Sequence, residues 1–163
     1  MSKSKALTGI AGAHFVVAEL SQRGYIATVT SRNTEGIDVL ASNIDGSKIV
    51  SVQVKTSGAK NRKNFIRSWI LNKKQESIFS DNLFYVFVDL NEEDKKPDFY
   101  IVPSKIVADY IKTETEKWMK SPSKTGKPHV DSGIRLFEIY EDEIAKKYYN
   151  NWELLGLDEN EHN

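Results

Sequence analysis

Apolar and polar positions change period several times along the chain, and each change marks an element. From about Ser4 to Arg23 the spacing of Leu7, Ile10, Ala11, Val17 and Leu20 predicts an amphipathic helix with one buried stripe. Gly9 and Gly12 weaken its first turns and move its ordered start later, to near Gly12, while Gly24 supplies a C-terminal stop. Tyr25 to Thr30, rich in Ile, Thr and Val, predicts a strand, and Ser31 to Glu35 a polar connection. Gly36 to Thr56 (GIDVLASNIDGSKIVSVQVKT) alternates on both sides of Asp45-Gly46, a strong two-residue hairpin signal.

Downstream, Thr56 to Asn64 reads as a Gly- and Lys-rich loop and Phe65 to Leu71 as an edge strand. Asn72 caps a short helix to about Ser80. Leu83 to Leu90 (LFYVFVDL) is nearly continuous apolar sequence, the mark of a strand buried on both faces. Asp98 to Val102 returns beside it, and Pro103 or Ser104 opens a helix to about Thr113. Glu114 to Ser132 is less regular: a helical turn around Trp118, then the loop SPSKTGKPH. Asp142 to Tyr149 predicts a short helix, with Trp152, Leu154, Leu155 and Leu157 as a final anchor. The pattern is α/β with a mixed sheet flanked by helices.

The hairpin carries the chemistry. With Asp45 and Gly46 as the loop, Ile44 faces Ser47, Asp38 lies opposite Gln53, and Lys55 is one diagonal step away. Alternation then puts Asp38, Gln53 and Lys55 on one face and Ile37, Val39, Val50, Val52 and Val54 toward the core. A carboxylate, an amide oxygen and an ammonium together suit a divalent metal and a phosphate; a solvated polar face is the plainer alternative.

Composition narrows the setting. The 163 residues carry no net charge, but Gly46 to Gln75 has no acid and eight Lys or Arg: Lys48, Lys55, Lys60, Arg62, Lys63, Arg67, Lys73 and Lys74. Such a block beside the hairpin suits a phosphate backbone. The segment from Glu138 to Glu161 is acidic instead. The chain has no cysteine, which excludes disulfides, thiolate zinc sites and a Cys nucleophile. No stretch is apolar enough to predict a membrane span or a signal core, so the expected location is cytoplasmic. No repeat or domain boundary stands out. The expectation is one domain over residues 1–163, with a core over about 9–112, an extension over 113–157 and an acidic tail over 158–163.

Asp38 followed by Gln53-x-Lys55, behind a helix and within a β-meander, resembles the PD-(D/E)XK nuclease superfamily in its Mrr-like Gln variant. GAHFVVAELSQRGY, RNTEGIDVLASN, VQVKTS, LFYVFVDL and DFYIVPSK are also similar to a DUF4365-like family of small bacterial proteins. The resemblance implies a restriction-endonuclease-like core and a metal-dependent phosphodiesterase, in the first place a DNA endonuclease, with RNA also open. It implies catalytic roles for Asp38, Gln53 and Lys55. Mg²⁺ or Mn²⁺ would be held by Asp38, Gln53 and the carbonyl near Val54, and Lys60, Arg62 and Lys63 would contact nucleic acid. A homodimer would allow two strands to be cut. The family's first helix commonly brings a Glu in a Gly-Glu-x-x-Val pattern, and that position falls here on Ala13. A catalytically impaired module that binds nucleic acid or a protein is therefore the second expectation.

Overall fold

The computed structural model describes residues 4–31, 36–58, 66–91, 94–123, 126–140 and 143–158. Helix α1 (Lys5–Gln22) begins where Ser4 caps it, the Ser4 hydroxyl accepting from the Leu7 N–H at 3.2 Å. Gly24, at φ 86°, ends it in the left-handed region that glycine tolerates best. Four strands follow, β1 (Ile26–Val29), β2 (Val39–Ser42), β3 (Ile49–Gly58) and β4 (Arg67–Asn72), then a 3₁₀ turn over Lys73–Glu76. Next come β5 (Leu83–Leu90), β6 (Asp98–Pro103), α2 (Ser104–Lys120), β7 (Ile134–Ile139), α3 (Glu143–Tyr148) and a last 3₁₀ turn at Trp152–Leu155.

A five-stranded mixed sheet in the order β1-β2-β3-β5-β6 forms the centre. β3 and β5 run parallel, with Gln53 beside Tyr85 and Lys55 beside Phe87, and the other neighbours are antiparallel. On one face α1 and the Trp152–Leu155 turn bury Val39, Ala41, Val50, Val52, Val86 and Ile101. On the other, β4 and β7 pair as a separate two-stranded ribbon. With α2 this ribbon covers Tyr85, Phe87, Tyr100 and Val102, and Phe87 stacks on Phe137 at 4.3 Å. The LFYVFVDL strand is buried along nearly its whole length because both faces have cover.

Several expectations change. The buried stripe of α1 is Gly12, Ala13, Val16, Glu19 and Leu20, while Leu7 is exposed and Ile10 borderline. The reason is steric: a Cβ on Gly12 would lie 1.9 Å from Thr56 Oγ1, so the glycine lets the helix backbone press on β3. Gly12 therefore sets the packing of the helix, and the helix is already formed at Lys5. α2 continues through Trp118 to Lys120, beyond the expected stop near Thr113. β7 was not anticipated, although Ile134-Arg135-Leu136-Phe137-Glu138-Ile139 alternates cleanly. Of the three tryptophans, Trp69 and Trp152 are buried and Trp118 is exposed.

Candidate active site at the edge of β3

The hairpin register matches the sequence reading farther from the turn than near it. Val39 pairs with Val52 and Ser42 with Ile49, as the alternation required. The loop is wider than two residues, however: the Asn43 N–H donates to the Lys48 carbonyl at 3.3 Å, and Ile44 to Ser47 form the turn. The Asn43 side chain supports it, accepting from the Lys48 N–H at 2.9 Å. Because the loop widens equally on both strands, the register is kept.

At Asp38 the regular ladder breaks. Its N–H donates to the Val52 carbonyl at 2.9 Å, although Val52 is already the partner of Val39. Two residues of one strand thus oppose one of the other, which is a β-bulge. The Asp38 carbonyl goes the other way and accepts from the Thr30 N–H at 2.9 Å. Two expectations fall with this. Asp38 does not sit directly opposite Gln53, and Ile37 does not join Val39 in the core. Past the bulge the alternation slips by one, so Ile37 lines a recess together with Gln53.

The bulge also aims the carboxylate. Asp38 Oδ2 accepts from the Val54 N–H at 2.7 Å, capping β3 at the point where β2 has ended. A strand residue turns its N–H and C=O toward the same neighbour, so the Val54 carbonyl opens on that same edge. Gln53 and Lys55, on either side of Val54, project together from the opposite face to Val52 and Val54. Gln53 is 7% exposed, and its carboxamide has no hydrogen-bond partner among the described residues. Lys55 is half-buried. Burial pushes its pKa below that of an ordinary lysine, the Asp38 carboxylate pulls it back up, and Lys74 lowers it again. Lys74, on the 3₁₀ turn after β4, thus belongs to the electrostatics of the site. The sequence placed it only in the basic block.

Other candidates lie elsewhere or are engaged. Ala13 is buried on α1. Glu19 is held by Arg23 at 2.6 Å and Lys96 at 2.7 Å. Burial raises its pKa, but these two partners outweigh that and hold it below the usual carboxylate range. Among the described residues no three His, Asp or Glu side chains converge. Thr56 faces α1 with its hydroxyl buried and unpartnered, so it cannot reach a phosphate beside Lys55, and β3 continues past Ser57 to Gly58. His14 is exposed on α1, and His129 stacks on Trp118 at 4.1 Å. Glu35, Lys60, Arg62 and Lys63 lie outside the described residues.

The donors on this edge are a carboxylate, a backbone carbonyl and an uncommitted amide, all hard oxygens. They suit an ion such as Mg²⁺, which binds through one or two carboxylates and keeps several waters or phosphate oxygens.

No protein-family model and no curated protein matches the sequence. Among solved structures, the bacterial homing endonuclease I-Ssp6803I aligns with a TM-score of 0.56 at 12% identity, over 94% of this chain and 95% of that one. The fold is restriction-endonuclease-like. Hjc, a Holliday junction resolvase from Archaeoglobus fulgidus, aligns at 13% identity over 93% of this chain and 98% of that one, with a TM-score of 0.48. No described helix is long and apolar enough to cross a membrane.

Proposed function

We propose that the chain is a metal-dependent nucleic-acid phosphodiesterase, in the first place a DNA endonuclease, acting where β2 ends beside β3. The observation that carries this reading is the Asp38 carboxylate seated on the Val54 backbone, between Gln53 and Lys55. Asp38, the Gln53 amide oxygen and the Val54 carbonyl would hold Mg²⁺ or Mn²⁺. Such an ion supplies charge neutralisation at the phosphate and eases deprotonation of water.

The chain's own groups do the rest. Asp38 is oriented before any ligand arrives, because one of its oxygens is fixed by the Val54 N–H. Lys55, poorly hydrated and beside Asp38, offers an N–H donor to the attacking water or to a non-bridging phosphate oxygen. Hydrolysis adds the water oxygen to phosphorus, breaks one P–O ester bond and leaves a proton on the departing hydroxyl. Lys60, Arg62 and Lys63 follow β3 in sequence and are assigned to the phosphate backbone on either side of the cut, so binding should weaken steeply with salt. The reading also takes the chain as one nuclease domain, with DNA ahead of RNA as substrate and a homodimer as the arrangement for cutting two strands. The motif likeness to the small DUF4365-like bacterial proteins supports it from sequence.

Incubation of the purified protein with single- and double-stranded DNA and RNA in Mg²⁺ or Mn²⁺ tests it. Cleavage that disappears with chelator and in Lys55→Ala is expected; undiminished cleavage by Lys55→Ala would overturn the role of that residue. A second reading rests on Ala13 and on Asp38 being the one acid placed at the site among the described residues: a binding module without turnover. Salt-sensitive DNA binding with no cleavage under any metal would select it.

A further inference from the structure

The recess that Ile37 enters after the bulge is a site of its own. Its volume is about 350 Å³, within the ~300–1,000 Å³ range of small-molecule pockets. Ile37, Ile78 and Leu83 form apolar walls, Gln53, Gln75 and Asn82 bring amides, Ser51 and Ser80 bring hydroxyls, and Lys74 also lines the recess. Gln75 is already committed, its Oε1 accepting from the Asn72 N–H at 2.8 Å. Gln53 is not. Gln53 is buried as a residue, lines the recess and has no described hydrogen-bond partner for its carboxamide. An amide with no protein partner is open to a ligand's hydrogen bonds.

Apolar walls beside an amide without a protein partner suit a ligand that buries apolar surface and presents hydrogen-bonding groups along one edge, as a heteroaromatic ring does. A carboxamide offers an oxygen acceptor and two N–H donors, so Gln53 can read such an edge with its NH₂ while its oxygen serves the side of Asp38. Charge adds to this. Lys74 lines the recess and its charge acts on Lys55, so this end of the recess carries positive potential that suits a phosphate. The ring and the phosphate are then parts of one nucleotide. The larger cleft of about 550 Å³ near Trp152 pairs Tyr25 with Asp158 and Tyr149 with Asp98, and lies away from Gln53.

We propose that this recess holds a single unpaired nucleobase next to the scissile phosphodiester, making an extrahelical or single-stranded nucleotide part of what the protein recognises. The proposal rests on the nuclease reading of Asp38 and Lys55 and specifies its substrate. A base inside a duplex cannot enter such a recess, so a duplex with a base already out of the stack avoids the cost of unstacking.

The test measures binding of the full chain to three duplexes of the same flanking sequence, with Ca²⁺ in place of Mg²⁺. One is fully paired, one carries a single bulged nucleotide (each base in turn), and one carries a bulged abasic residue. The bulged base should bind about tenfold more tightly than the paired duplex, with the abasic duplex close to the paired one. Ile78→Trp fills the recess from a half-exposed position and should abolish this preference for the bulged base over the paired duplex. Thermal melting confirms that the variant folds; an unfolded variant is replaced by Ile78→Phe. Equal binding of all three duplexes, or of the bulged base and the abasic residue, overturns the proposal, and if Mg²⁺-dependent cleavage persists the nuclease reading survives. A preference that remains in the filled variant also overturns it. Absence of binding to every nucleic acid overturns both.

Discussion

The carboxylate of Asp38 accepts a hydrogen bond from the backbone N–H of Val54 at 2.7 Å. The contact does two jobs. It satisfies a β3 donor that the end of β2 leaves without a ladder partner, and it fixes the direction of the site's acid. Asp38→Asn keeps an oxygen acceptor for that N–H, whereas Asp38→Ala removes it. The alanine variant should lose about 1–3 kcal/mol of stability and the asparagine variant far less. Both should lose cleavage. Denaturant melts beside a nuclease assay separate the two roles, and equal stability of the two variants would show that the hydrogen bond matters little to the fold.

Lys55 should show the opposite relation between stability and function. Its pKa is lowered chiefly by burial, so the folded state holds the ammonium proton less tightly than the unfolded chain does. Between the lowered value and the ordinary value near 10.4 the unfolded state binds more protons, and stability rises with pH through that window. At neutral pH the cost of the half-buried charge is still present. Lys55→Met removes it, and should raise stability by about 1 kcal/mol, or Tm by roughly 2–4 °C, while abolishing cleavage. A melting point that falls in this variant would mean that attraction to Asp38 outweighs burial.

On the ribbon side, Arg135 is 3% exposed and holds Asp131 through two hydrogen bonds at 2.8 and 3.2 Å, with Glu76 as a further partner. These contacts, together with the Gly133 N–H and Lys73, keep the Asp131 carboxyl well below the usual range. A depressed carboxyl contributes stability that is complete above its unfolded value, near pH 3.9, and lost as pH falls toward its folded one. The Tm of the native protein should therefore drop below about pH 4. Arg135→Met should start lower at pH 6 and show a shallower acid slope. Parallel profiles for the two proteins would remove Arg135 as the cause.

Which parts of the molecule were legible follows from the range of the forces involved. The hairpin register, the LFYVFVDL strand and the pairing of Asp98–Val102 beside it rest on alternation and short connections, so the sequence carries them locally. The bulge at Asp38 does not. It depends on Asp38 being gripped from both sides, by Val52 and by Thr30, and neither partner is marked by residue type. Lys74 was visible as a charge but not as a neighbour of Lys55, since that relation depends on how β4 and its turn fold back over the sheet. β7 carried a readable pattern, yet its partner β4 lies more than sixty residues upstream, and no turn signal links the two. The one clear anomaly in the motif, Ala13, marks where α1 packs close to β3 beside Gly12.

That long separation also sets an order of events. The 3₁₀ turn bearing Lys74 and Gln75 is tied down by Arg135, which reaches Glu76 from β7. β3, with Gln53 and Lys55, leaves the ribosome early, but the wall beside it is anchored only after residue 135 has emerged and closed a loop of some sixty residues. During synthesis the chain therefore carries Gln53 and Lys55 well before the wall beside them can be anchored.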